Sequence, residues 1–101
     1  MDFAGFDWDA ANRAKCLKHG VSIAEIESLF RSIIRIAPDL QHSAAEDRFK
    51  AIGMTSAGRN VLVVFTLRLS GQGRLVRPVS ARYMHRKEVI YYEKETSRSE
   101  K

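Results

Sequence analysis

The run Val61-Leu62-Val63-Val64-Phe65-Thr66 is β-branched and apolar at both alternating positions, so neither of its faces can be left to water. Such a strand belongs at the centre of a sheet that is covered on both sides. The unbroken apolar part, Val61 to Phe65, is far too short to cross a bilayer. Turns bracket it, Ser56-Ala57-Gly58-Arg59-Asn60 before and Ser70-Gly71-Gln72-Gly73 after. Arg48 to Met54 reads as the preceding strand and Leu75 to Ser80 as the following one. Ile33-Ile34-Arg35-Ile36 is a fourth, stopping at Pro38-Asp39, with a loop over 38–45. Short turns between consecutive strands predict an antiparallel meander.

Helical signals flank this β-rich centre. Phe6-Asp7-Trp8 reads as a short extended lead-in, after which Asp9 caps a helix over about 10–19. Gly20 ends that helix in the left-handed conformation that only glycine adopts cheaply. Ser22-Ile23-Ala24-Glu25 is a capping box, with Val21 and Ile26 as its hydrophobic staple. The helix it starts covers about 23–31, with Ile23, Ile26 and Phe30 on one face beside Leu29. A last helix over about 83–95 carries Met84, Val89, Tyr91 and Tyr92. The predicted fold is α+β: two N-terminal helices, a four-stranded antiparallel sheet and a C-terminal helix. A chain of 101 residues has room for one core, here one domain over 1–95, with a polar tail at 96–101 expected to fray.

Charge and cysteine usage narrow the function. The hydrophobic fraction of 45% argues against disorder. A net charge of +5 and a pI near 9.7 make polyanions natural partners, although charge alone does not separate a nucleic-acid binder from a merely basic protein. Met1-Asp2-Phe3-Ala4-Gly5-Phe6 lacks the basic start and apolar stretch of a signal peptide. The single Cys16 cannot form an internal disulfide, which fits a reducing compartment, so a cytoplasmic location away from membranes is expected.

Several stretches, taken together, resemble a known family. Phe6-Asp7-Trp8-Asp9, Asn12, Lys18-His19-Gly20-Val21-Ser22 and Phe30 match the opening of BrnT-type toxins. Glu46-Asp47-Arg48, Gly53, Leu62-Val63-Val64-Phe65-Thr66-Leu67-Arg68, Ser80-Ala81-Arg82, Glu88 and Tyr92 continue the match in the family's order. The resemblance implies a RelE-like fold and a type II toxin-antitoxin toxin that cleaves RNA and blocks translation. It also implies a BrnA-like ribbon-helix-helix antitoxin, in a two-plus-two complex that binds operator DNA. Where the family usually has an isoleucine pair before Ser-Ala-Arg, this chain has Pro78-Val79. Proline cannot donate to a ladder, so the strand is expected to be an edge or bulged there.

RNA can be cut without metal because its own 2′-hydroxyl attacks the adjacent phosphate. The enzyme must then accept that proton, protonate the leaving 5′-oxygen and stabilise the extra negative charge. Three isolated histidines and one cysteine have no zinc spacing, so no metal and no cofactor are expected. Arginine forks suit phosphate oxygens. Arg68, ending the central strand, and Arg82, following the last, are the expected catalytic cations by family position; otherwise they read as solvated strand-end charges. A histidine side chain can serve as acid or base near neutral pH, so His19 is the expected proton-transfer group, though a basic residue there also opposes the helix macrodipole. Lys18, Arg48, Trp8 and His85 are candidate RNA contacts. Lys18 shares the macrodipole reading, Arg48 can pair with Glu46 or Asp47, Trp8 can equally pack in the core, and His85 can be a surface histidine. His42 lies in the loop without a motif. The competing function is a non-catalytic basic module that binds nucleic acid or one partner protein. Such a binder needs cations and aromatics, but no titrating group placed among them.

Overall fold

A computed structural model describes residues 3–32, 34–39 and 46–99, with side chains to Lys94. His42, Ile33 and most of the loop expected at 38–45 lie outside the described residues. The elements in chain order are β1 (Gly5–Phe6), α1 (Ala10–Leu17), α2 (Ile23–Leu29), β2 (Arg35–Pro38), β3 (Phe49–Met54), β4 (Asn60–Ser70), β5 (Gly73–Tyr83) and α3 (Arg86–Ser99). The α+β class is as expected, but the sheet is five-stranded and mixed, in the order β1-β5-β4-β3-β2. The expected antiparallel meander is present as β2 to β5. The fifth strand is the lead-in itself, which pairs parallel with β5 through Gly5–Leu75 and Phe6–Val76. The last helix starts at Arg86 and runs to Ser99, later than the expected 83–95.

Both N-terminal helices start on capping boxes. The Ser22 hydroxyl accepts the Glu25 amide at 3.1 Å, and the Ser22 amide donates to Glu25 Oε1 at 3.2 Å. Asp9 and Asn12 form a second box at the start of α1, with bonds of 2.7 and 2.9 Å. Gly20 closes the α1 turn at a φ of 85°, in the left-handed region.

Helices α1 and α2 cover one face of the sheet. The core on that face joins Cys16, Val21, Ile26 and Leu29 to Ala51, Val61, Val63, Phe65, Val76 and Ala81. Phe30 meets Phe65 edge to face at 5.1 Å, and Phe3 and Phe6 pack against Phe30 at 5.7 Å each. Burying a side chain such as Ile26 or Phe65 contributes about 1.5–3 kcal/mol, so this cluster anchors the helices. Burial pushes the Cys16 thiol up to about 11, which leaves it an inert packing residue.

The expected irregularity at Pro78 is a register shift. Val64 pairs with Ser80 while the next residue, Phe65, pairs with Pro78, so Val79 is an extra residue in β5. Side chains alternate between faces along a strand, and one extra residue reverses the alternation beyond it. The core residues of β5 show this directly: Val76 lies before the bulge and Ala81 after it, both in one cluster despite opposite parity. No membrane-length apolar helix occurs among the described residues.

Candidate active site on the open sheet face

The face of the sheet opposite the core carries the alternate residues of each strand. On β4 these are Leu62, Val64, Thr66 and Arg68, and the ladder places Arg82, Ser80, Arg77 and Leu75 against them. On β3 they include Lys50, paired with Val64, and Ile52, paired with Leu62. Arg35 of β2 pairs with Ile52 and extends the row. The open face therefore presents Arg35, Lys50, Arg68, Arg77 and Arg82 among apolar neighbours.

Helix α1 forms one wall of this face. Past Phe6 the outer edge of β5 has no strand partner among the described residues, and α1 runs there instead. Buried Asn12 ties it down, its Nδ2 donating to the carbonyls of Asp7 and Pro78 at 2.9 Å each. Ala11 and Lys15 stand one turn apart on α1, and His19 follows in the turn between Leu17 and Gly20. At the other end α3 folds back over the face. The Arg35 guanidinium donates to the Tyr92 carbonyl at 2.9 Å and lies 5.7 Å from the Tyr92 ring centroid.

Two grooves result. The first, of about 300 Å³, is lined by His19, Asp39, Lys50, Leu62, Val64, Ser80, Ala81 and Arg82. Here Glu88 grips Arg82 through two parallel bonds, Nη1 to Oε1 and Nη2 to Oε2, each 2.7 Å. The Arg82 fork holds Glu88 well below the usual carboxylate range, at about 2, helped by the His85 amide donating to Oε1 at 3.0 Å. The same pair raises the Arg82 pKa, so its charge is permanent. Lys50 Nζ stands 4.0 Å from Oδ1 of Asp39, which is buried at the end of β2.

The second groove, of about 200 Å³, is lined by Ala11, Asn12, Lys15, Glu46, Arg48, Arg68, Arg77 and Val79. Arg77 is held by Asp9 at 2.6 Å and Asp7 at 3.5 Å, and Arg68 meets Glu46 at 3.8 Å. The Asp9 carboxyl lies below its ordinary value, chiefly through the Asn12 amide and then through Arg77.

Of the residues expected at a site, His19 and Arg82 line the first groove together, while Arg68 and Arg48 line the second. Arg68 stands six residues along β4 from Leu62, the partner of Arg82. At a strand rise of about 3.3 Å per residue that is roughly 20 Å, so one phosphate cannot take both arginines. Lys18 and His85 are exposed and line neither groove. The Trp8 indole packs against the core and donates Nε1–H to Glu27 Oε2 at 2.9 Å. Lys50, Ser80 and Asp39 in the first groove, and Arg77 and Lys15 in the second, were not singled out by sequence. The alternation Arg48-Phe49-Lys50-Ala51 carries a signal for Lys50, but Arg77 needs the bulge to be placed first.

The family model described as the ribonuclease toxin BrnT of type II toxin-antitoxin systems matches residues 8–88. A search of curated proteins gave no match. The matched stretch runs from Trp8, ahead of the α1 cap, to Glu88, the partner of Arg82, and so takes in both grooves. Covering most of the chain, that match makes this protein a member of the BrnT family of ribonuclease toxins.

Proposed function

We propose that the protein is a metal-independent endoribonuclease whose cleavage centre is the first groove. The observation that carries this reading is the meeting of His19 with Arg82 in one groove on a basic face. His19 transfers the proton of the attacking 2′-hydroxyl or of the leaving 5′-oxygen. Arg82, preoriented by Glu88, offers the remaining N–H groups of its guanidinium to the phosphate as charge develops. Lys50 adds a second cation and the Ser80 hydroxyl a donor on the sheet floor of the same groove. Arg68 and Arg48 contact flanking RNA in the second groove, with Lys18 and His85 at the margins. Trp8 keeps to its packing role.

The carboxylates at both grooves, Asp7, Asp9, Asp39, Glu46 and Glu88, each face a cation of the same chain. Among the described residues no group of three or more His, Cys, Asp or Glu side chains is placed to hold a metal ion. A route through the substrate's own hydroxyl asks for neither. The partner we propose is a BrnA-like ribbon-helix-helix antitoxin in a two-plus-two complex that binds operator DNA.

The test is cleavage of RNA by the purified protein in EDTA. The expected product ends in a 2′,3′-cyclic phosphate, and a 2′-deoxy at the cleaved nucleotide stops the reaction. Cutting of the deoxy substrate that depends on added metal would overturn the mechanism. Binding of RNA with no cleavage at all would leave a non-catalytic module instead.

A further inference from the structure

The second groove is more than a continuation of surface charge. Arg77 and Arg82 differ by five positions, so in a regular strand they would point to opposite faces. The extra residue Val79 removes that mismatch, and both arginines stand on the open face. There Arg77 joins Lys15, Arg48 and Arg68 around one groove, with Glu46 as the one carboxylate in its lining among the described residues. Arg77 is also fixed: its side chain is 20% exposed and is held by Asp9, the cap of α1, and by Asp7, neither of which lines the groove. A cation anchored by carboxylates outside the groove lining, with three more cations lining the same groove, is placed to meet an anion there.

The two grooves follow one another along the same wall and floor. Lys15, in the last turn of α1, lines one, and His19, in the turn that follows the helix, lines the other. On β4 the floor passes from Val64 to Arg68, a step of about 13 Å at the usual strand rise. A stacked nucleic-acid strand advances about 3.4 Å per phosphate, and an extended one about twice that. We infer that the second groove is a separate phosphate-binding subsite for single-stranded RNA, taking a phosphate roughly two to four nucleotides from the one in the first groove. It is assembled by the bulge at Val79 that brings Arg77 onto the open face, and it rests on the reading of the first groove as the cleavage site.

The experiment compares two 2′-O-methyl RNA oligonucleotides, which bind but cannot be cut, of about three and about ten nucleotides. Binding is followed by fluorescence anisotropy across a salt series for the wild type, Arg77→Gln and Lys15→Gln. Each variant should bind the longer RNA about tenfold more weakly, with binding of the shorter one nearly unchanged. The slope of log affinity against log salt should fall by about 0.7 for the longer RNA, the single-strand value for one lost phosphate contact. Lys15 is exposed and makes no side-chain bond that holds the fold, so its variant reports even if Arg77→Gln loosens the start of α1. Equal losses on both lengths, or no loss on the longer one, would overturn the subsite. Cleavage of unmodified RNA, assayed alongside, separates the two readings. Length-dependent binding without any cleavage upholds the subsite and removes the ribonuclease centre; cleavage with no effect of either variant does the reverse.

Discussion

Arg82 is the residue on which most of the proposed chemistry turns, and its geometry makes the prediction quantitative. A fork already gripped by Glu88 need not reorganise as charge builds on the phosphate, so Arg82→Ala should slow cleavage by about a hundred- to a thousandfold. Its side chain is 40% exposed, so the fold should lose no more than about 1 kcal/mol. Single-turnover cleavage and a urea melt check the two halves separately, and a large loss of stability would reassign the residue to the fold. The ion pair also has a pH signature. Glu88 is depressed from 4.5 to about 2, so the pair's stabilisation is complete above 4.5 and is lost as pH falls through 2. The gap in melting temperature between wild type and Arg82→Ala should therefore narrow as pH drops from 5 toward 2; a constant gap would mean the pair does not stabilise the fold. His19→Ala should slow cleavage if the imidazole moves a proton; if it only opposes the helix dipole, a little stability and no activity would be lost. His19 and Arg82 were legible because the resemblance pointed to them. Lys50 and Arg77 were not, because their placement depends on which face of a strand they occupy, and that is settled by register rather than by residue type.

Asn12 shows how one side chain joins elements that look independent in the sequence. It completes the Asp9 capping box and donates to Asp7 O and Pro78 O, so α1, the β1 exit and the β5 bulge share a single amide. At 4% exposure its loss leaves two carbonyls without that donor, and Asn12→Ala should cost roughly 1–3 kcal/mol. Chemical denaturation measures it; a change of a few tenths would mean water replaces the amide easily. The elements that carried local signals were legible in the sequence. The Ser22 box, the Gly20 stop and the central strand all stand where the pattern put them. Strand ends were less legible, since β4 and β5 run on to Ser70 and Gly73 through exposed residues, where the ladder continues after the hydrophobic pattern has faded. The parallel pairing of β1 left no local trace. Two residues have no period, and what holds them against Leu75 and Val76 is a long-range contact.

For the molecule as a whole, the arrangement separates packing from charge. Helices α1 and α2 close the apolar face, while on the other face Lys15, Arg48, Lys50, Arg68, Arg77 and Arg82 line the two grooves. A toxin of a type II system has an antitoxin, and the simplest way to silence this one is to cover the face proposed to hold RNA. Complementary charge would then act mainly on the rate of encounter, which falls steeply as salt screens the field. The antitoxin should therefore associate with this chain more slowly as ionic strength rises, with a weaker effect on dissociation. Arg68→Ala and Arg77→Ala, which remove rim charges, should reduce that salt dependence without abolishing the complex. RNA and antitoxin should also exclude each other: adding antitoxin to the toxin bound to labelled 2′-O-methyl RNA should release the RNA completely. In the bound complex Arg68 and Arg82 should be protected from guanidine-modifying reagents, with exposed Arg74 at the β4–β5 hairpin as the internal reference. In cells, growth arrest on induced expression should be relieved by co-expression of the antitoxin. A ternary complex that holds RNA at unchanged affinity, with both arginines still reactive, would show that the antitoxin inhibits from elsewhere on the molecule.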